Sequence, residues 1–229
     1  STHALNIFGD HSDVMACRQT GFAMMCETNP QEVMDLAPVA HLAAIEGKVP
    51  FLNFFDGFRT SHEIQKVAVW DYADLKEMCN MDAVAAFRKH ALNPEHPAMR
   101  GSHENGDIFF QHREACNKFY NELPAVVEKY MGKVNEKLGT NYQLFNYYGA
   151  PDADRIIIAM GSICDVAEEV IDYMNAHGEK VGIVKVRLYR PFCSDKLVAA
   201  IPATAKKIAV LDRTKEPGSL GEPLYMDVV

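Results

Sequence analysis

The chain lacks any long run of apolar residues, although 48% of its 229 residues are hydrophobic. Because a membrane-spanning helix needs about 20 consecutive apolar residues, we expect no transmembrane segment and no membrane partner. The chain also lacks an excess of positive charge. Its formal net charge is -8, and its lysines and arginines are scattered among acids. A chain of this charge repels phosphate outside a local basic patch, so we expect no nucleic-acid partner.

Paired cysteines are absent. None of the six cysteines forms a CxxC pair or a Cys/His cluster with metal-ligating spacing, which argues against a zinc or iron–sulfur site in this chain. Most of them lie within apolar stretches, as Cys26 does in FAMMCE. Such cysteines are typical of small buried side chains in a reducing compartment, and we expect a cytoplasmic protein.

Common catalytic motifs are missing as well. The sequence has no GxxxxGK[ST] and no GxGxxG, the motifs of phosphate and dinucleotide binding. It has no Gly-x-Ser-x-Gly elbow, and His62-Glu63 is not followed by a second histidine at HExxH spacing. The residues alone therefore indicate no complete catalytic set.

The two ends of the sequence do not have the features of natural termini. The start, STHALNIFGDH, has no initiator methionine and neither the basic nor the apolar region of a signal peptide. The end, MDVV, directly follows an apolar segment. We therefore expect an internal part of a longer chain.

Strands with a helix between them are predicted near the start. LNIF (5–8) and FAMMCE (22–27) have the composition of buried strands. VPFLNFF (49–55) is a continuous apolar strand, as expected when both faces of a parallel sheet are covered. The βαβ pattern indicates a parallel sheet.

The helix of this unit has clear end signals. Asn29 is a suitable N-cap and Pro30 suits the first helical position. Gly47 is predicted to end the helix, and Pro38 inside it predicts a kink.

A helical segment without strands is predicted over residues 61–140. Its clearest helical patterns are DYADLKEM, MDAVAAFRKHAL and REACNKFYNELPAVVEKYMGKVNEKLG. Pro124 is predicted to divide the last of these and Gly139 to cap it. Residues 93–107 are predicted as a loop, and residues 141–155 as a domain linker.

A second unit has a βαβαβ pattern. Its predicted strands are RIIIAM, KVGIVKVRLYRPF and KKIAVLDR, and its predicted helices are DVAEEVIDYMNAHG and SDKLVAAI. The sequence therefore predicts an α/β fold of two consecutive three-layer units, each on a parallel sheet, with a helical segment between them.

Polar side chains follow the predicted strands at their carboxyl ends, where open parallel sheets bind ligands. The three segments are GDHSD (9–13), residues 56–63 and DRTKEPGSLGEP (212–223). In GDHSD the Asp-His-x-Asp arrangement could orient a general base. Alternatively, Ser12 or Asp13 could cap the following helix.

The segment after the strand 49–55 also has two interpretations. Arg59, His62 and Glu63 could bind an anionic substrate, because arginine suits carboxylates and phosphates. Alternatively, Arg59 forms a structural ion pair with Asp56, and Ser61 caps a helix that follows. The spacing leaves both open.

Longer segments around these strand ends carry a family likeness. They are GDHSDVMACRQTGFAM, VAHLAAIEGKVPFLNFFDGFRTSHEIQK, LNPEHPAMRG, GAPDADRIIIAMGS, KVRLYRPF and VLDRTKEPGSLGEPLY. In this order they resemble the pyruvate:ferredoxin (flavodoxin) oxidoreductase family. The likeness extends over the whole chain, and long runs such as FFDGFRTSHEIQK are specific.

The resemblance implies an internal piece of a large multidomain enzyme that oxidatively decarboxylates pyruvate to acetyl-coenzyme A. It implies that residues 1–148 are the later part of a thiamine-type pyrimidine-binding domain. Residues 149–229 would be a truncated domain similar to the transketolase C-terminal domain. The intact enzyme would use thiamine diphosphate, magnesium, [4Fe-4S] clusters and coenzyme A.

The resemblance also implies which residues this segment does not contain. The family's residues for the aminopyrimidine and for pyruvate would precede Ser1, and the diphosphate, metal and cluster sites would follow Val229. We therefore expect no catalytic, cofactor-binding or metal-binding residue here. The implied partners are the remaining domains, a second copy in a homodimer, and ferredoxin or flavodoxin.

Residues at the strand ends are expected to lie next to the pocket of the intact enzyme or at a domain interface. They are Asp10, His11, Arg18, Gln19, Asp56, Arg59 and Glu63. Two other functions stay open: a subunit of a split 2-oxoacid:ferredoxin oxidoreductase, or a non-catalytic docking or dimerisation module.

Overall fold

The computed structural model describes residues 4, 6–99, 101 and 103–229. The strands are β1 (Ala23–Cys26), β2 (Phe51–Phe54), β3 (Phe145–Gly149), β4 (Arg155–Ala159), β5 (Val181–Val186), β6 (Leu188–Arg190) and β7 (Lys207–Val210). The helices are α1 (Ser12–Ala16), α2 (Pro30–Gly47), α3 (Tyr72–Met78), α4 (Met81–Lys89), α5 (Phe109–Ala115), α6 (Asn117–Leu138), α7 (Ile163–Ala176), α8 (Ser194–Ala200) and α9 (Pro223–Val228). Among these helices none has the length and hydropathy needed to cross a membrane.

The first sheet confirms the predicted βαβ unit. Its strand order is β2-β1-β6, and β1 and β2 are parallel, joined by α2. The Asn29 side chain caps α2 by accepting a hydrogen bond of 3.0 Å from the Glu32 N–H. β2 lies at the sheet edge, and most of it is half-buried. The prediction that both of its faces are covered is therefore wrong.

The second sheet confirms the predicted βαβαβ unit. Its strand order is β3-β5-β4-β7, and β5, β4 and β7 are parallel. Alternate residues of β4 and β5 belong to two different hydrophobic clusters. One cluster contains buried residues of α7, and the other contains Leu197 of α8. The larger cluster also contains residues of β1, α2 and α6, so one core is continuous across both sheets.

Neither sheet is purely parallel, and this corrects the prediction. The segment predicted as one strand, KVGIVKVRLYRPF, changes sheet at Arg187: β5 lies in the second sheet and β6 pairs antiparallel with β1. At the change, the Arg187 N–H donates to Leu144 O (3.0 Å) and its carbonyl accepts from the Cys26 N–H (2.9 Å). One continuous segment can thus contribute strands to two sheets, because its backbone N–H and C=O groups find hydrogen-bond partners in both.

The segment predicted as a linker contains β3, which pairs antiparallel with β5. Two glycines permit this pairing at its end. Gly149 has a φ of +132°, and a Cβ there would lie 2.5 Å from the Gly182 Cα. The backbones approach more closely at this point than any side chain would allow.

The predicted strand LNIF is wrong within the described residues; Leu5 lies outside them. Asn6–Phe8 forms a turn in which the Asn6 side-chain oxygen accepts from the Phe8 N–H (3.0 Å). The Gly9 N–H donates to the Asn6 carbonyl (2.9 Å). Asparagine offers the backbone a local partner that competes with a strand ladder.

The helix α6 runs through Pro124 without a break, contrary to the prediction, and ends at Gly139 as predicted. Its buried face packs against α2, and this packing offsets the cost of an interior proline. Gly47 permits the close contact between α2 and α6, because a Cβ at Gly47 would lie 2.4 Å from Leu123 Cδ1. The left-handed residue that ends α2 is Lys48 (φ +58°).

The helical segment between the sheets is confirmed from α3 onward, with Asp71 and Asn80 as the N-caps of α3 and α4. No helix begins at Ser61, and residues 63–71 are irregular. The helices α4 and α5 bury no residue. The described residues of the range 81–115 therefore include no buried side chain.

Candidate functional site

The carboxyl ends of strands from both sheets meet at one place. Asp56 follows β2, the Gly161-Ser162 turn follows β4, and Arg213 follows β7. The parallel strands direct these residues to the same edge. His11, from the loop before α1, joins them.

The buried carboxylate of Asp56 connects these segments. Its Oδ2 accepts hydrogen bonds from the Ser162 N–H (2.8 Å), the Ser162 hydroxyl (2.6 Å) and Arg213 Nη1 (3.2 Å). Its Oδ1 is bonded to His11 Nε2. The backbone N–H of His11 in turn donates to the backbone carbonyl of Arg213 (2.9 Å). One side chain thus holds four segments of the chain together.

The Asp56 carboxylate stays ionised despite its burial. Burial would raise its pKa, but the hydrogen bond and charge of His11 and the two donors of Ser162 outweigh it and lower the pKa to about 2. A carboxylate that accepts several hydrogen bonds is stabilised in its charged form. The group acts as a fixed negative charge, not as a proton donor, at neutral pH.

We expect Gly161→Ala to disrupt this junction. Gly161 has a φ of +83°, and an added Cβ would lie 2.8 Å from Asp56 Oδ2. Left-handed strain costs roughly 1–2 kcal/mol, and the clash with Asp56 should add about 1–3 kcal/mol. Urea unfolding of the variant measures the sum.

Gly178→Ala is the matched control for this substitution. Gly178 has a similar φ of +89°, but no described atom lies within 4 Å of an added Cβ. The Gly178→Ala variant should therefore be destabilised only by the strain of the left-handed backbone conformation. Equal losses in the two variants would show that the contact with Asp56 has no energetic effect.

A cleft of about 820 Å³ opens above the Asp56 junction. Its charged lining residues are Arg59, Glu63, Asp165 and Arg213. The Arg59 guanidinium lies 5.2 Å from the centre of the Phe8 ring, a cation–π geometry. The cleft thus combines two guanidinium groups, two carboxyl groups and an aromatic wall.

Phe58 forms part of that wall in a strained conformation. Its φ is +59°, which is a genuine outlier for a bulky residue. The ring stacks on His62 at a centroid distance of 4.3 Å, and the Phe58 N–H donates to Ser61 Oγ (2.8 Å). Ser61 therefore stabilises this turn instead of capping a helix, which corrects one of the two interpretations of this segment.

Asp165 lies in the first turn of α7 and faces the cleft. Asn29 Nδ2 donates to its Oδ2 (2.9 Å). Burial raises its pKa, and the negative charge of Glu32 adds to the effect, while the bond from Asn29 opposes it. Asp165 is therefore easier to protonate than an ordinary aspartate.

The residues singled out in the sequence fall into two groups. His11 and Asp56 lie beneath the cleft, and Arg59 and Glu63 line it. The structure does not bring Asp10, Arg18 or Gln19 to the cleft lining.

Each of these three residues has another environment. Asp10 accepts from the N–H and hydroxyl of Ser12. Arg18 donates to Glu216 (3.0 Å), and Gln19 is exposed.

Two pairings expected from sequence proximity are wrong. His11 is bonded to Asp56 and not to its near neighbours Asp10 and Asp13. Asp56 forms its ion pair with Arg213 and not with Arg59. The α1 helix has no side-chain cap from Ser12 or Asp13. Partners distant in sequence replace local ones because strand ends of both sheets converge here.

The sequence reasoning missed three residues of the site: Ser162, Asp165 and Arg213. Arg213 had a usable signal, since it directly follows the last strand in the DRTKEPG segment. Ser162 lies in a recognisable Gly-Ser turn after a strand. Asp165 had no distinguishing signal, because an acid in the first turn of a helix is common.

The remaining titratable groups give no metal site. Among the residues that the structure describes, no group of three His, Cys, Asp or Glu side chains could hold a metal ion. All six cysteines are free. Cys26 and Cys164 are buried, and the other four are half-buried.

A solved structure shares this fold. It is 2-oxoglutarate:ferredoxin oxidoreductase from Magnetococcus marinus with 2-oxoglutarate, coenzyme A and succinyl-CoA bound. The TM-score is 0.53 at 18% identity, and the match covers 92% of this chain and 39% of that one. The chain therefore has the fold of part of an oxidoreductase of this class.

Two family models match consecutive parts of the sequence. One, "Pyruvate flavodoxin/ferredoxin oxidoreductase, thiamine diP-bdg", matches residues 1–132, and "Pyruvate:ferredoxin oxidoreductase core domain II" matches residues 153–229. The chain belongs to the pyruvate:flavodoxin/ferredoxin oxidoreductase family, as its motifs predict.

Similar proteins are much longer than this chain. It is 61% identical over 228 residues to a pyruvate-flavodoxin oxidoreductase of Enterobacter agglomerans and 59% identical to a pyruvate:ferredoxin oxidoreductase of Moorella thermoacetica. A pyruvate dehydrogenase [NADP(+)] of Cryptosporidium parvum is 50% identical over 229 residues. The chain spans 19%, 20% and 12% of their respective lengths.

Proposed function

We propose that this chain is an internal part of an enzyme that oxidatively decarboxylates pyruvate to acetyl-coenzyme A and reduces ferredoxin or flavodoxin. The observation that carries the proposal is 61% identity over the whole chain to a pyruvate-flavodoxin oxidoreductase. The intact enzyme would be a cytoplasmic homodimer with thiamine diphosphate, magnesium, [4Fe-4S] clusters and coenzyme A.

The described residues provide no site for the magnesium ion or the iron–sulfur clusters. They include no group of side chains that could hold a metal ion, and the carboxyl groups at the cleft occur together with Arg59 and Arg213. Thiamine diphosphate would supply the group that stabilises the carbanion left by decarboxylation. We assign no step of that chemistry to residues of this chain.

We further propose a division into two domains, residues 1–148 and 149–229. The two family matches lie on either side of this boundary, which supports it. The strands β3 and β6 and the continuous core would make the two domains one mechanical unit. The chain would then serve as a rigid support for the catalytic parts of the enzyme.

The strand-end cleft would receive a neighbouring domain of the longer enzyme. Arg59 and Glu63 would make the contacts, with Asp56 and His11 holding their loop from below. Exposed aromatic rings, the Arg59 guanidinium over Phe8 and a strained Phe58 support this role, because interfaces are enriched in aromatic residues and arginine. Strain of this kind is concentrated at functional sites.

The reaction is tested in the longer polypeptide that contains this sequence. We expect reduction of ferredoxin or flavodoxin that depends on both pyruvate and coenzyme A. Turnover of 2-oxoglutarate in place of pyruvate would overturn the substrate assignment. The absence of turnover with both acids would overturn the proposed reaction.

The role of the cleft is tested by Arg59→Ala in the same polypeptide. We expect turnover to fall by about tenfold, because an interface arginine often contributes 1–2 kcal/mol. Arg88→Ala, an exposed arginine on α4, is the matched control. Unchanged turnover with Arg59→Ala would eliminate the interface role without affecting the proposed reaction.

A further inference from the structure

Glu27 is a buried acid with no role in the site described above. It directly follows β1, and its relative exposure is 0%. Neither of its carboxyl oxygens has a hydrogen-bond partner among the described residues. An ionised carboxylate in such a place loses its hydration without replacement.

The charged groups that face Glu27 come from the surrounding elements. They are Glu32 of α2 and Arg187, which lies between β5 and β6. The adjacent Cys26 stays a neutral thiol, since burial raises its pKa well above the usual value.

Arg187 is engaged elsewhere. Its guanidinium pairs with Glu32 in a buried ion pair and donates to Asn146 Oδ1 (2.9 Å). The other oxygen of Glu32 accepts from the Thr28 N–H (3.0 Å). Glu32 thus has the partners of an ionised carboxylate, and Glu27 lacks them.

Asn53 of β2 lies beside Glu27, and the contact of its side chain lowers the pKa of Glu27. Its Oδ1 is also buried without a donor among the described residues. A protonated carboxyl group has an O–H that a carboxylate lacks. A single proton on Glu27 can therefore satisfy an oxygen on each of the two side chains.

We propose that Glu27 is a proton-binding site: its carboxyl group is protonated in the folded protein at neutral pH and donates to Asn53 Oδ1. The junction of the two sheets then contains one negative charge, on Glu32, and one positive charge, on Arg187. Release of the proton would place a second negative charge in the same buried space.

The electrostatic environment agrees with this geometry. Burial and the charge of Glu32 raise the pKa of Glu27 well above its usual value. The backbone N–H of Glu27, the charge of Arg187 and the Asn53 side chain only partly oppose them. An acid whose pKa is raised by folding binds its proton more tightly in the folded state. Its stabilising effect is complete below the unfolded pKa and is lost as the pH rises toward the folded value.

Glu27→Gln tests the proposal, because glutamine imitates the neutral acid but cannot ionise. We expect the unfolding equilibrium constant of the wild-type chain to rise relative to that of Glu27→Gln between pH 5 and 7. The rise approaches tenfold per pH unit. Parallel stabilities over this range, or a Glu27→Gln chain that does not fold, would overturn the proposal.

Glu32→Gln in the same cluster is the matched control. It leaves Arg187 without its partner, so it should destabilise the chain at every pH in this range. The infrared spectrum gives a second test that needs no unfolding. At neutral pH the carbonyl band of a protonated carboxylic acid should be present in the wild type and weaker in Glu27→Gln, and identical bands would also overturn the proposal.

Discussion

Replacement of Asp56 by alanine is expected to lower the free energy of unfolding by about 3–5 kcal/mol, the usual cost of breaking a buried charge pair. The substitution leaves His11, Ser162 and Arg213 without their shared acceptor. Those groups connect the N-terminal loop, β4 and β7 to β2. Urea unfolding at neutral pH measures the loss.

Asp10→Ala is the matched control for this prediction. Asp10 is an exposed carboxylate near Asp56 in the fold that bonds only to Ser12 among the described residues. We expect its removal to change stability by less than about 1 kcal/mol. If Asp56→Ala were no more harmful than Asp10→Ala, the junction would not hold the sheets together.

The pH dependence of the free energy of unfolding provides a second test of the role of Asp56. Because folding lowers its pKa from the usual 3.8 to about 2, its contribution is present above pH 4 and is lost as the pH falls toward 2. The loss corresponds to roughly 2 kcal/mol. Asp56→Asn cannot titrate, so its stability should fall less over this range. Equal acid sensitivity of the two chains would contradict the assignment.

Replacement of Arg187 by methionine is expected to cost about 3–5 kcal/mol at neutral pH. Arg187 is buried, pairs with Glu32, bonds to Asn146 and lies over the Tyr142 ring at 5.2 Å. Its removal leaves the Glu32 carboxylate buried without a cation. Chemical denaturation of the variant measures the change.

The double variant Glu32→Gln/Arg187→Met separates pairing from packing. It removes both charges, so we expect it to recover part of the stability lost in Arg187→Met. Arg155→Met, at an exposed ion pair with Glu179, should have little effect. A double variant less stable than Arg187→Met would show that the ion pair is not the source of the loss.

The helices were the most predictable elements. Asn29, Pro30 and Gly139 mark real helix ends, because capping is a local interaction among neighbouring residues. The strands β4, β5 and β7 were also found, since each is a short, largely apolar run in the sequence. The family likeness rests on equally local, continuous motifs.

Predictions failed where distant contacts override local preference. Pro124 does not interrupt α6, because packing against α2 holds the helix together. The stretch from Val181 to Arg190 was predicted as one strand, yet it contributes strands to two sheets. Residue spacing contains no information about which neighbour completes a backbone hydrogen bond.

The sequence by itself determined the α/β class, the helix ends at Asn29 and Gly139, and the family, and it singled out the segments around His11 and Asp56. Only the tertiary structure decided that these two residues bond to each other and to Arg213. It also decided that the Glu27 carboxyl group is buried without a hydrogen-bond partner among the described residues. The physical reason is that composition and periodicity report interactions within a few residues. Burial and charge pairing depend instead on which distant segments the folded chain brings into contact.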